Sequence, residues 1–213
     1  MSSVLPPGVT WTPRYVVAGD RLLVLIERSD GGRDRLLFDE ATGRLIHDPA
    51  APLAAPGEAP TVAEVPEDAE PIDEPAFQAL VAERRVDLLY LWATRLCRVE
   101  ATTHAALGDA LGVPLEPPPL VARSVEVRSG DIPTVAFHLR PQTFVRATFE
   151  DAFGAGMRLP QVHPGDDIAI ASPAVAVAGA PWRCTAFTRY ASGEEPGPDS
   201  DVHSVLLRLD RAG

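Results

Sequence analysis

The sequence contains no lysine and no asparagine, so the nineteen side chains that are always cationic at neutral pH are all arginines. Without lysine the chain cannot be a Schiff-base enzyme, a nucleotide-binding protein with a P-loop lysine, or a kinase of the usual type. The lack of asparagine also removes one of the side chains that stabilise oxyanions. Several classes of enzyme are therefore excluded, and the abundance of Ala, Pro, Gly and Val is typical of a GC-rich genome.

Cysteine is almost as scarce, because the chain has only Cys97 and Cys184, far apart in sequence. Two cysteines are too few for a disulfide scaffold, and a cysteine-based zinc site is not expected. We predict that both are buried as small apolar residues rather than exposed as reactive thiols.

Long apolar runs are missing as well. No segment approaches the roughly 20 apolar residues that a membrane helix needs, and the N-terminus lacks the basic and apolar regions of a signal peptide. We therefore predict a cytoplasmic protein that does not bind membranes. Its 213 residues suffice for one large domain or two small ones.

The net charge of −11 is concentrated in one segment. Residues 1–44 carry six acids and six arginines, residues 45–83 carry nine acids and no arginine, and residues 84–213 carry fifteen acids and thirteen arginines. No basic surface for nucleic-acid phosphates is apparent. Residues 101–114 are similar to the start of a helix-turn-helix, but three prolines at 117–119 exclude a recognition helix there. We predict no nucleic-acid partner.

Residues 1–48 predict a small β-meander. Three or four runs of strand-forming residues are separated by reversals that contain Gly19, Gly31 and Gly43. Strands of this size cannot bury both faces of a sheet by themselves. We therefore expect the helix or the later strands to cover them.

Residues 49–73 form an acidic, proline-rich segment. Such a composition is typical of a linker with polyproline II character or of a disordered segment. The alternative is an ordered strap that lies on the protein surface.

Residues 74–112 are the only stretch with sustained helical character. Asp73 or Glu74 can cap the start of a long helix. A second, short helix over residues 102–111 is expected to end at Gly112, because glycine commonly follows the last turn of a helix.

The remaining residues to 213 predict about six or seven strands, one of them over residues 142–150. The expected fold class is α+β: a mostly antiparallel β-sheet or small open barrel, packed on one long central helix and a short second helix. Residues 74–213 would form this helix-plus-sheet domain. If the two β regions share one sheet, this domain is continuous with the meander.

Alternation along three consecutive predicted strands brings basic side chains to one face. The predicted ligand-binding residues are Arg128, His138, Arg140 and Arg146. Arginine offers two parallel N–H donors, so this face would suit a carboxylate, a phosphate or a peptide terminus. The alternative is a solvated sheet face on which these side chains pair with Glu126 and Glu150.

The histidine spacings match no metal-binding motif, so no metal and no cofactor are predicted. One alternative set of metal ligands remains chemically reasonable on a β-scaffold. Its members are His138, His163, Asp166 and His203.

Three functions stay open. Because catalytic signatures are absent, we favour a non-catalytic module that binds a peptide or protein, such as an accessory protein of a peptide-modification pathway or an adaptor or immunity protein. A metal- or acid/base-dependent enzyme on a β-scaffold is the second hypothesis, so the assignment as an enzyme stays uncertain. The third is a structural assembly subunit, which agrees with a homo-oligomer.

Overall fold

A computed structural model describes residues 9–52, 61–163, 165–193 and 195–212. Within these residues the fold is α+β, with two antiparallel sheets and three helices, and neither sheet closes into a barrel. The predicted fold class and the predominance of antiparallel strands are confirmed. The chain divides into unit 1, Met1–Asp39 with Arg44–Val81, and unit 2, Glu40–Gly43 with Ala82–Gly213.

Unit 1 contains the first sheet, whose five strands lie in the order β4-β3-β2-β1-β5. These strands are β1 (Trp11–Ala18), β2 (Arg21–Arg28), β3 (Arg33–Asp39), β4 (Arg44–His47) and β5 (Ala69–Ile72). The first four follow one another as a meander. Gly19 lies at the first reversal with φ of 60°, a left-handed conformation that costs glycine little because it has no Cβ.

One face of the first sheet packs on the first turns of α1 (Glu74–Leu96). Phe77 is fully buried there, and its ring centroid lies 4.9 Å from that of Tyr15. The Asp73 side chain accepts a hydrogen bond from the backbone N–H of Ala76 at 2.9 Å, which caps the helix as expected.

The opposite face of the first sheet carries Arg35 and is met by the acidic, proline-rich segment. The backbone N–H of Ala63 donates to the carbonyl of Arg33 at 2.8 Å, and Ala63 is fully buried. The Arg35 guanidinium donates to the carbonyl of Glu64 at 2.8 Å. Residues 61–63 therefore lie beside β3, and the segment then crosses this face to end as the edge strand β5 beside β1. Residues 53–60 lie outside the described part of the chain.

Unit 2 contains the second sheet, a seven-stranded sheet in which the order is β6-β7-β12-β11-β9-β8 and β10 pairs with β11. Its strands are β6 (Ala122–Arg128), β7 (Thr134–Leu139), β8 (Met157–Arg158), β9 (Ile168–Ala171), β10 (Val175–Ala176), β11 (Trp182–Tyr190) and β12 (Ser204–Arg211). The last strand of the chain is thus inserted beside β7, so sequence neighbours are not always sheet neighbours.

Two helices belong to unit 2 alone, α2 (His104–Leu111) and α3 (Arg146–Phe153). The Thr103 side chain caps α2, and Gly112 ends it in the left-handed conformation with φ of 68°. The long helix α1 ends at Leu96 and is shared, with residues 74–81 in unit 1 and residues 82–96 in unit 2. The prediction of one central helix is therefore confirmed only in part.

The strand predicted over residues 142–150 is wrong, because α3 begins at Arg146. Two contacts between residues four positions apart stabilise this helix. Arg146 Nε lies 2.9 Å from a Glu150 carboxylate oxygen, and the rings of Phe149 and Phe153 stack with centroids 4.4 Å apart. The β-branched and aromatic residues of this segment favoured a strand, but their spacing fits a helix.

The core of unit 2 lies on one face of the second sheet. Trp92 of α1 is fully buried and stacks on Phe137 of β7, with ring centroids 5.3 Å apart and planes 12° apart. Cys97 and Cys184 are buried in the same core, as predicted. No helix in the described residues is long and apolar enough to cross a membrane.

Candidate functional site

The second sheet has one buried face and one exposed face. On β7, Val135, Phe137 and Leu139 are buried, whereas His138 between them is exposed. The same alternation holds along β6, β12 and β11. We call the exposed face the outer face, and its residues on these four strands are Ser124, Glu126, Arg128, Thr134, Ala136, His138, Arg183, Thr185, Phe187, Arg189, Ser204, Leu206, Arg208 and Asp210.

A weakly apolar row crosses the middle of the outer face. The strand register places Ala136 opposite Leu206, Leu206 opposite Phe187, and Phe187 opposite Ala171. All four side chains are half-buried. This row offers a shallow apolar surface that runs across the strands.

Rows with cationic residues flank the apolar row on both sides. On one side His138 pairs with Ser204, which in turn pairs with Arg189. On the other side the register aligns Arg128 and Arg208 with Thr134 between them. The outer face therefore combines apolar contact area with donors of hydrogen bonds.

The outer face is cationic although the chain is acidic. It carries four arginines against the two carboxylates of Glu126 and Asp210, which leaves a net charge of +2 before His138 is counted. The whole chain has a net charge of −11. Such a local excess of arginine favours a ligand that bears carboxylates or phosphates.

Glu126 pairs with two of these cations at the end of the face. Its two carboxylate oxygens lie 3.0 Å from Arg128 Nη2 and 3.4 Å from His138 Nε2. The hydrogen bond and charge of Arg128, followed by the charge of His138, lower the pKa of Glu126 below its ordinary value. Glu126 is therefore ionised at neutral pH and compensates part of the positive charge of the face.

The remaining arginines differ in how they are held. Arg208 donates to Asp210 at 2.9 Å and lies over the ring of Phe187, 4.8 Å from its centroid. Arg183 and Arg189 on β11 are exposed. Asp210 is aligned opposite Arg183 but pairs with Arg208, and no carboxylate in the described part of the chain lies within ion-pair distance of either arginine of β11. Their guanidinium groups can therefore bind a ligand without first breaking an ion pair.

The structure brings together only part of the predicted ligand-binding set. Arg128 and His138 lie on the outer face and share Glu126. Arg140 follows the last residue of β7 and is exposed, and its backbone N–H donates to the carbonyl of Val121 at 3.3 Å. Arg146 lies on α3 instead of on a strand, where its guanidinium donates to Glu150 and to the carbonyl of Pro196.

Sequence analysis missed Arg183, Arg189 and Arg208. The alternation along β11 and β12 places these arginines on one face of each strand, and this signal is visible in the sequence. That β12 lies between β7 and β11 is not visible, because strands distant in sequence pair through the folded core. The sequence therefore did not show that the basic residues of β6 and β7 share a face with those of β11 and β12.

The alternative metal ligands lie in separate elements: His138 on β7, His203 just before β12, and His163 and Asp166 in the loop before β9. Within the described residues, His163 and Asp166 are joined by a turn, in which the His163 backbone N–H donates to Asp166 Oδ2 at 2.9 Å and the Asp166 backbone N–H donates to the carbonyl of His163 at 3.2 Å. Among residues 9–52, 61–163, 165–193 and 195–212, no three His, Cys, Asp or Glu side chains form a metal-binding group.

The chain matches no known protein family, no curated protein and no solved structure.

Proposed function

We propose that the protein is a non-catalytic binding module whose outer face binds an acidic segment of a peptide or protein partner. The observation that carries this proposal is the pair Arg183 and Arg189, two exposed arginines of β11 that form no ion pair with a carboxylate among the described residues. They lie on either side of the apolar row that contains Phe187.

The chemistry of the face favours carboxylates. An arginine guanidinium presents two parallel N–H groups to the two oxygens of an Asp or Glu side chain. A charge-assisted hydrogen bond of this kind contributes about 1.5–3 kcal/mol when it is shielded from water. On an exposed face the contribution is smaller, so several such contacts are needed.

The apolar row favours a ligand that also carries apolar side chains. Leu206 and Phe187 lie opposite each other at the centre of the face, and an apolar residue of the ligand can cover both. A segment that alternates acidic and apolar residues would satisfy the row and its cationic borders at once. Long nucleic acids are disfavoured, because the net charge of −11 repels a polyanion.

The proposal is tested by fluorescence anisotropy with labelled peptides that alternate Glu or Asp with Leu or Phe. The wild-type chain should bind such a peptide, and the binding should weaken as salt screens the charges. The double variant Arg183→Gln/Arg189→Gln should bind at least about tenfold more weakly, the equivalent of about 1.4 kcal/mol.

A control with the same change in net charge is Arg21→Gln/Arg98→Gln, because both of these arginines are exposed and lie outside the outer face. This variant should bind like the wild type. An equal loss of affinity in both double variants would show that only net charge matters and would refute the proposal. Failure of the wild type to prefer acidic peptides over basic ones would refute it as well.

A further inference from the structure

The strand β6 is the terminal strand of the second sheet, and its outward edge carries unpaired backbone groups. The backbone N–H of Leu209 donates to the carbonyl of Pro133, so the odd-numbered residues of β7 direct their backbone groups towards β12. The even-numbered residues then face β6, as the hydrogen bond from Arg140 to Val121 confirms. On β6, the residues aligned with them are Ser124, Glu126 and Arg128.

Alternation therefore directs the N–H and C=O groups of Val125 and Val127 away from the sheet. Within the described residues, no backbone hydrogen bond to either valine comes from outside the sheet. Neither proline nor a bulge interrupts the strand between these valines, since the register shift lies earlier, between Ala122 and Ser124. An edge of this kind is a template for pairing with another strand.

We propose that β6 pairs antiparallel with β6 of a second copy of this chain, with the two-fold axis at Val127. The free backbone groups of Val127 would then bond with those of the partner's Val127, and those of Val125 would bond with the backbone of the partner's Ser129. Such an isologous contact closes a dimer and removes both free edges.

Charge complementarity selects the second copy as the occupant. In this register Glu126 lies opposite the partner's Arg128, and Arg128 lies opposite the partner's Glu126. These two Glu126–Arg128 pairs lie at positions between the hydrogen-bonded pairs, where opposed Cβ atoms approach to about 4.5–5.5 Å. Two ion pairs therefore form across the dimer axis on the outer face.

The neighbouring registers are worse. Only registers that align the free odd-numbered residues can form hydrogen bonds, so the alternatives are displaced by two residues. One of them places Glu126 opposite the partner's Glu126, and the other places Arg128 opposite the partner's Arg128. Like charges opposed across strands destabilise the pairing.

Within one chain, Arg128 and Glu126 already lie 3.0 Å apart, with side chains 75% and 47% exposed. An exposed ion pair contributes little to stability, so exchanging it for contacts across the dimer axis costs little. The proposed dimer goes beyond the binding function, since it requires no ligand. It would join the outer faces of two copies into one continuous surface.

The dimer is tested with the full chain by sedimentation velocity over a range of protein concentrations. The wild type should dimerise. Glu126→Arg and Arg128→Glu should each raise the dissociation constant of the dimer by about tenfold or more. In either variant, residues 126 and 128 carry the same charge, so like charges face each other in both pairs across the dimer axis. An equimolar mixture of the two variants should recover a heterodimer, because every opposed pair is then of opposite sign.

Two further variants separate the dimer from loss of folding. The double variant Glu126→Arg/Arg128→Glu should dimerise by itself, since it restores both opposed pairs. Arg140→Glu, an exposed reversal beyond the end of β7, should dimerise like the wild type. A wild type that stays monomeric at all concentrations would overturn the proposal. So would single variants that dimerise as tightly as the wild type, or a mixture that forms no heterodimer.

Discussion

Arg35 and Asp48 form the most buried ion pair among the described residues of this protein. Arg35 Nε lies 2.7 Å from Asp48 Oδ2, and the two side chains are only 10% and 4% exposed. The same guanidinium donates to the carbonyl of Glu64, and Asp48 also accepts the backbone N–H of Ala50 at 2.9 Å. The pair thus connects β3, the end of β4 and the acidic segment that crosses the first sheet.

The first prediction is that Asp48→Ala lowers the free energy of unfolding of unit 1 by about 3–5 kcal/mol, because it leaves a buried guanidinium without its partner. Chemical denaturation would measure the loss of unfolding free energy, and amide hydrogen exchange would locate it in the first sheet. Asp131→Ala removes an exposed carboxylate and should change stability by no more than about 0.5 kcal/mol. Equal stability of the two variants would contradict the role of the ion pair.

The second prediction concerns the close approach of Gly156 to β9. A Cβ at this position would lie 2.5 Å from Ile170 Cγ2 and 2.9 Å from the carbonyl oxygen of Ala171. Gly156→Ala should therefore destabilise unit 2 by about 1–3 kcal/mol, measured by thermal or urea denaturation. Gly197→Ala is the matched control, because a Cβ there meets no atom within 4 Å. Equal stability of the two variants would contradict the close approach of Gly156 to β9.

The third prediction concerns pH. Burial raises the pKa of the Cys184 thiol above its ordinary value of 9.0, and burial raises that of Cys97 as well. The unfolded chain therefore loses thiol protons at a pH where the folded chain keeps them. The stabilisation that the neutral thiols provide is fully present below pH 9 and is lost as the pH rises above it, by up to about 1.4 kcal/mol per pH unit for each thiol.

Urea midpoints measured from neutral to alkaline pH would check this. Cys184→Ala should make the alkaline decline less steep, whereas Cys97 and the buried Tyr190, whose pKa is also raised by burial, should retain part of it. A decline of the same steepness in the variant and the wild type would exclude the contribution of Cys184.

The fourth prediction concerns the core of unit 2. Trp92 is fully buried, and its Nε1–H has no hydrogen-bond partner in the structure as described. Trp92→Ala should cost about 3–5 kcal/mol through the cavity that it creates. Trp92→Phe should cost clearly less, because it keeps a ring against Phe137 and removes the unpaired donor.

Trp11, whose side chain is 52% exposed, provides the matched comparison. Trp11→Ala should change the unfolding free energy much less than Trp92→Ala does. If Trp92→Ala lowered the unfolding free energy no more than Trp11→Ala does, the stacking of Trp92 on Phe137 would contribute little to the stability of the core.

Local features of the chain were predictable because their causes are local. Gly19 and Gly43 at the reversals, Asp73 before α1 and Gly112 after α2 each meet a requirement of the backbone at their own position. Where local preferences conflicted, the prediction failed. In the segment that forms α3, strand-forming residues outweighed the helical spacing of Phe149 and Phe153, which becomes decisive only when both rings enter the core.

The sequence by itself determined the α+β class, the meander, the Asp73 cap of α1, the end of α2 at Gly112 and the burial of both cysteines, since periodicity and turn chemistry act over a few residues. Only the tertiary structure decided that β12 lies between β7 and β11 and that Arg183 and Arg189 share a face with His138. Pairing between distant strands depends on how their buried faces fit one core. Alternation shows which face of a strand is buried but not which strand lies beside it.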